Sequence, residues 1–140
     1  MQIQNHDIKG VDLVENERSA NIMLGGEEYT LILTTKATKE IAGKYGGLEN
    51  LGDKLLKSEN FEMALNEVVW LVTLLANQSI LIHNIKNKEN KRELLTEEMV
   101  ELLTSPLDLA GFKSALSEAL YKGTKRNIVS EDNTKNSQVG

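Results

Sequence analysis

Eleven apolar side chains, Met63, Ala64, Leu65, Val68, Val69, Trp70, Leu71, Val72, Leu74, Leu75 and Ala76, crowd into the fourteen positions 63–76. At helical spacing they cover most of the cylinder, and such a helix is either buried at the centre of a fold or shared with a partner. This one segment sets the problem for the rest of the chain, which must supply its cover. Ser58 or Asn60 can cap its start. Beyond the polar Asn77-Gln78-Ser79 step, Ile80, Leu81, Ile82 and Ile85 continue the pattern, giving one long rod or a broken one.

The covering elements are legible on both sides. Ile22 and Leu24 alternate with outward neighbours, Gly25-Gly26 interrupts the run, and Tyr29, Leu31 and Leu33 resume it, which is the signature of a tight β-hairpin. Thr35 is placed to cap a short helix through Ala37, Ile41 and Ala42 to Tyr45, with Gly46-Gly47 as its left-handed stop. A second short amphipathic helix is expected from Leu48 to about Lys57, with Leu48, Leu51 and Leu55 on one face. After a polar connector over 86–92, Thr96 caps a helix through Leu103. Ser105, Pro106 and Asp108 then form the cap, first position and capping-box acid of a last helix that carries Leu109, Phe112, Leu116, Ala119 and Leu120 along one stripe.

These elements predict an α+β fold, predominantly helical, with an N-terminal β-hairpin packed on a bundle of about five helices. The predicted domain spans 20–123. Residues 1–19 form an arm or edge strand. Residues 124–140, beyond Gly123, hold only Ile128, Val129 and Val139 as apolar aliphatics. Three such side chains do not offset the ordering of a polar segment this long, at about 1–2 kcal/mol of backbone entropy per residue, so a disordered C-terminal tail is expected. A length of 140 residues supports one modest core. With aromatics at 4% that core is aliphatic.

The net charge of −5 sets the mean field against phosphate. Lys86, Lys88, Lys91 and Arg92 make a local basic cluster, but Glu89 and Glu93 interleave with it, as in a solvated connector. The absence of cysteine excludes disulfides, thiolate chemistry and Cys-ligated zinc, and suits a reducing compartment. The first residues lack the basic and apolar regions of a secretory signal. The longest unbroken apolar run, 68–72, falls far short of a membrane span.

No reactive constellation emerges. His6 and His83 lack the converging donors of a metal site. The acid pairs Glu27-Glu28, Glu97-Glu98 and Glu131-Asp132 are neighbours that diverge from one another, and neither glycine pair lies in a phosphate-loop context. The residue pattern thus points to a protein that is not an enzyme and that needs no cofactor. One competing motif is the segment from Thr38 to Gly46, which has the outline of the first helix and turn of a helix-turn-helix DNA-binding regulator. The following helix would then offer Glu49, Asn50, Asp53 and Lys54 to the groove, mostly repulsive to phosphate and without an arginine for guanine. Val69, Trp70, Leu74 and Phe112 are instead the candidates for a partner or self-association surface, belonging either to the core or to such contacts. For Trp70, packing in the core is the default and a partner hot spot the alternative.

In order, Glu28-Tyr29-Thr30-Leu31, then Ala42-Gly43-Lys44-Tyr45-Gly46-Gly47-Leu48-Glu49-Asn50-Leu51, the apolar helix, Leu95-Thr96-Glu97-Glu98-Met99 and Ala115-Leu116-Ser117-Glu118-Ala119-Leu120 resemble the tail assembly chaperones of long-tailed, siphovirus-type bacteriophages and prophages. The resemblance covers about residues 20–125 and consists of order and spacing. It implies a mostly helical protein of the host bacterial cytoplasm that binds the tape measure protein, keeps its long apolar helices soluble, promotes tail tube polymerisation and is absent from the finished tail. It also implies a longer product, made by ribosomal frameshifting near the end of the short frame, that recruits tail tube protein. The alternative from a different class is a structural minor tail or tail-completion protein retained in the virion.

Overall fold

The computed structural model describes residues 19–47, 50–51 and 61–139, with side chains described as far as residue 123 and, in the last of these stretches, from residue 65 onward. Two antiparallel strands, β1 (Ser19–Leu24) and β2 (Glu27–Ile32), pair with Leu24 opposite Glu27 and Ser19 opposite Ile32. The two-residue connection is Gly25-Gly26, with φ of 60° and 84°. Two successive positive φ values define a type I′ turn, whose twist matches that of the strands. Ile22, Leu24 and Leu31 are buried as the alternation requires. Ile32 and Leu33 are buried too, so both faces are covered at the open end of the hairpin.

Helix α1 (Thr35–Tyr45) follows. Its cap is Thr34, one residue earlier than the sequence suggests, because the Thr34 hydroxyl accepts from Ala37 N at 3.0 Å. Gly46 ends the helix in the left-handed conformation, with φ of 86°. Asn50 Nδ2 adds a bond to the Tyr45 carbonyl at 2.8 Å. The second short helix expected from Leu48 to Lys57 lies outside the described residues except at Asn50 and Leu51, which are helical, with Leu51 fully buried. The arm expected over 1–19 and the caps proposed at Ser58 and Asn60 also lie outside them, apart from Ser19.

Helix α2 (Phe61–Lys86) is one unbroken rod of 26 residues. Asn77, Gln78 and Ser79 do not break it because each spends its polar group on a neighbour. Asn77 bonds the backbone of Leu95, Gln78 Oε1 accepts from the Thr34 hydroxyl, and Ser79 Oγ donates to Ala76 O at 2.8 Å. Gln78 is thereby buried at no hydrogen-bonding cost. Val68, Val69, Leu71, Val72, Leu75, Ala76 and Ile80 fill the core. The stretch Leu65–Lys86 is, by length and composition, apolar enough to cross a membrane, a property that the short unbroken run 68–72 conceals. Here it packs against β2, α1 and the two helices that follow.

Helix α3 (Glu97–Leu103) is capped by Thr96, which accepts from Met99 N at 3.1 Å. Ser105 and Asp108 form the reciprocal capping box at the start of α4 (Pro106–Val139): Ser105 N donates to Asp108 Oδ2 at 2.9 Å and Asp108 N to Ser105 Oγ at 3.3 Å. Helix α4 lies along β1, β2 and α2. It does not stop at Gly123. The helix runs from Pro106 to Val139. Among the described residues the positive-φ glycines are Gly25, Gly26, Gly46 and Gly47, so Gly123 makes no left-handed stop. Its role is close approach, because a Cβ there would stand 2.7 Å from Leu33 Cδ2 and 3.0 Å from Leu33 Cβ.

Candidate functional site

The four candidates for partner contact from sequence do not form one exposed surface. Val69 and Phe112 are buried core residues, at 5% and 8% exposure. Leu74 and Trp70 are half-buried at the edge of the same cluster. Trp70 meets Tyr45 edge-to-face, with ring centroids 5.9 Å apart at 74°, and the Lys44 ammonium stands 4.1 Å from the Trp70 ring centre. Such a cation over a tryptophan face contributes roughly 0.5–1 kcal/mol at a partly exposed site. Trp70 thus fastens the end of α1 to α2.

The apolar surface left outward lies elsewhere. Leu102 and Leu107 are 77% and 82% exposed, and Leu103 is 46% exposed. These three lie within six positions, at the corner where α3 hands over to α4. Val100 and Leu109 already supply the buried contacts of these two helix ends. Beside the corner is a recess of about 210 Å³ lined by Leu65, Asn66 and Val69 of α2, Glu101 and Thr104 from the end of α3, and Ser105, Pro106 and Leu109. Val69 is the sequence candidate that reaches it.

Polar groups of the corner are satisfied locally. Thr104 Oγ1 donates to Val100 O at 2.6 Å, and the Ser105–Asp108 box fixes the next turn. The other end of Leu103 is held by the hairpin: a Cβ on Gly25 would lie 3.2 Å from Leu103 Cδ2. A side chain at residue 25 would make the end of Leu103 give way by a few tenths of an ångström and would hold a strained φ of 60°.

The sequence signal for this surface is the doublet Leu102-Leu103. Two adjacent residues in a helix point about 100° apart, and with Val100 committed to the core they do not both fit its face. Leu107 likewise falls outside the stripe that begins at Leu109.

Between residues 97 and 112 the charged side chains have one sign. Glu97, Glu98, Glu101 and Asp108 are all exposed, and no lysine or arginine occurs between residues 97 and 112. Elsewhere, Tyr29 donates to Glu27 Oε2 at 3.2 Å. Burial first, and then the Glu27 bond and charge, hold its phenol above the ordinary value of 10.0, with Arg92 acting in the opposite sense. Among the described residues no group of three His, Asp or Glu is arranged to hold a metal ion. Comparison with protein-family models, curated proteins and solved structures finds no match for this chain.

Proposed function

We propose that the chain is a tail assembly chaperone of a long-tailed bacteriophage or prophage. It binds the tape measure protein in the host bacterial cytoplasm, keeps the apolar helices of that protein soluble and promotes tail tube polymerisation around it. Tail tube protein is recruited through a longer frameshifted product. The observation that carries the reading is the α3–α4 corner, where three leucines stand outward on a locally capped scaffold whose own core is filled without them. A protein that works by transient cover needs such a surface, apolar enough to bind and small enough to stay in solution unbound. The order of elements that resembles this family adds the class of partner.

The test is co-expression of this chain with the tape measure protein of the same tail gene cluster, followed by pull-down and sizing of the soluble fraction. The expected result is a soluble complex containing a partner that is insoluble alone, with this chain absent from finished particles. No association, together with this chain in purified particles, would reassign it to the structural tail proteins. Trp70→Asp is a poor probe in this experiment, because Trp70 holds Tyr45 and its loss reports on folding.

A further inference from the structure

Resting on that reading, we infer that the α3–α4 corner is a seat for one amphipathic helix of the partner, a helix whose apolar stripe is flanked by lysine or arginine. Three features of the corner carry this. Leu102, Leu103 and Leu107 offer outward side chains from two successive helix ends, a shape that meets the i, i+3, i+4 ridge of a helix. Beside these leucines, between α2 and the turn from α3 to α4, a recess of about 210 Å³ has Leu65, Val69 and Leu109 as its apolar lining. An aliphatic cavity of about 150 Å³ is enough to hold benzene, so this one takes a single leucine or phenylalanine as an anchor. The charge nearby is acidic: Glu101 lines the recess, and Glu97, Glu98 and Asp108 stand exposed on the same two helices without a basic residue among them.

The charge selects the occupant. A second copy of this chain, approaching by the same surface, would set these acids against each other, and a helix with acidic flanks would do likewise. A basic-flanked helix gains steering and register from these acids while the leucines and the recess supply the affinity. Neither backbone strain nor a change of fold is needed, since the corner is already capped and seated on Gly25.

The probe is a synthetic peptide of about three heptads with leucine at a and d and lysine at e and g, compared with its glutamate-flanked counterpart. Binding is read by fluorescence anisotropy on the full chain. The lysine peptide is expected to bind, more weakly as salt is raised, and the glutamate peptide is expected not to bind. Leu102→Asp/Leu107→Asp should weaken binding about tenfold or more, whereas Ile85→Asp, which alters another exposed apolar residue far along α2, should leave it unchanged. Both variants change exposed side chains, and an unaltered melting curve verifies their folding.

Equal binding of both peptides, or undiminished binding by the double variant, would overturn the inference. So would a dimer of the wild-type chain that the double variant converts to monomer, because the occupant would then be a second copy. Running the double variant in the tape measure co-expression separates the two claims. A soluble complex that survives it refutes this seat and leaves the chaperone reading standing. Corner-dependent peptide binding with no tape measure complex supports the seat while the chaperone reading fails.

Discussion

Glycines at residues 111 and 123 occupy the same helix and should respond oppositely to the same change. Gly111 is exposed, and a Cβ there meets nothing within 4 Å, so Gly111→Ala is expected to stabilise by up to about 1 kcal/mol through helix propensity alone. Gly123 faces Leu33, and the 3.0 Å approach to Leu33 Cβ is not relieved by rotating the end of a side chain. Overpacking of this kind costs about 1–3 kcal/mol, more than the propensity gain, so Gly123→Ala should lower the melting temperature. Thermal melts of the two variants check both signs. Tyr29 gives a pH test. Its phenol holds a proton more tightly folded than unfolded, so it contributes stability that is complete below about pH 10 and is lost as pH rises from there through the folded value. Tyr29→Phe has no such proton to lose, and its urea midpoint should fall less steeply between about pH 9 and about pH 11 than that of the parent chain.

Two asparagines seven residues apart on α2 hold the chain that returns from its C-terminal end. Asn77 takes both polar groups of the Leu95 backbone, with Leu95 N donating to Oδ1 at 2.7 Å and Nδ2 donating to Leu95 O at 2.8 Å. Asn84 does the same for Arg92, at 2.8 Å and 3.0 Å. The Asn77 pair is part-buried beside buried Leu95, so Asn77→Ala leaves two backbone groups short of partners and should cost about 1–3 kcal/mol. Asn84 and Arg92 are wet and water replaces the lost bonds, so Asn84→Ala should cost clearly less; chemical denaturation of the pair checks that order. Such clips also mark where the sequence stopped being legible. The Gly-Gly turn, the Gly46 stop and the Thr96 and Ser105 caps are readable because each depends on residues within four positions of one another, and the hairpin because apolar alternation flanks that turn on both sides. Whether α2 broke at Asn77-Gln78-Ser79 was not readable, because the answer lies in Leu95 and Thr34, far along the chain. Gly123 misled for the same reason: its partner is Leu33, and a glycine needed for close approach looks in sequence like a glycine that ends a helix. For Val69 and Phe112, which the sequence leaves open between core and contact surface, burial decides for the core; apolar density locates burial, while an outward surface is what remains after burial is assigned.

At the scale of the whole molecule, α4 runs the length of the hairpin and is fixed at both ends of it. Its first turns follow the corner that presses Leu103 on Gly25 at the turn, and residues 122–123 meet the open end, where Lys122 Nζ donates to Ser19 O at 2.9 Å. At about 1.5 Å per residue the intervening helix spans some 26 Å, enough to cross two strands of six residues at about 3.3 Å each. The hairpin, α2 and α4 therefore close one aliphatic core, and the α3–α4 corner is held from two sides while presenting its leucines outward. Partner binding by this account engages the corner and leaves the centre of α2 as it was. Hydrogen exchange of the full chain, alone and in its tape measure complex, tests that most directly. The account expects new protection concentrated on backbone amides at 100–109, with the centre of α2 unchanged. Protection confined to the Trp70–Leu74 side of α2, with no change at the corner, would contradict it.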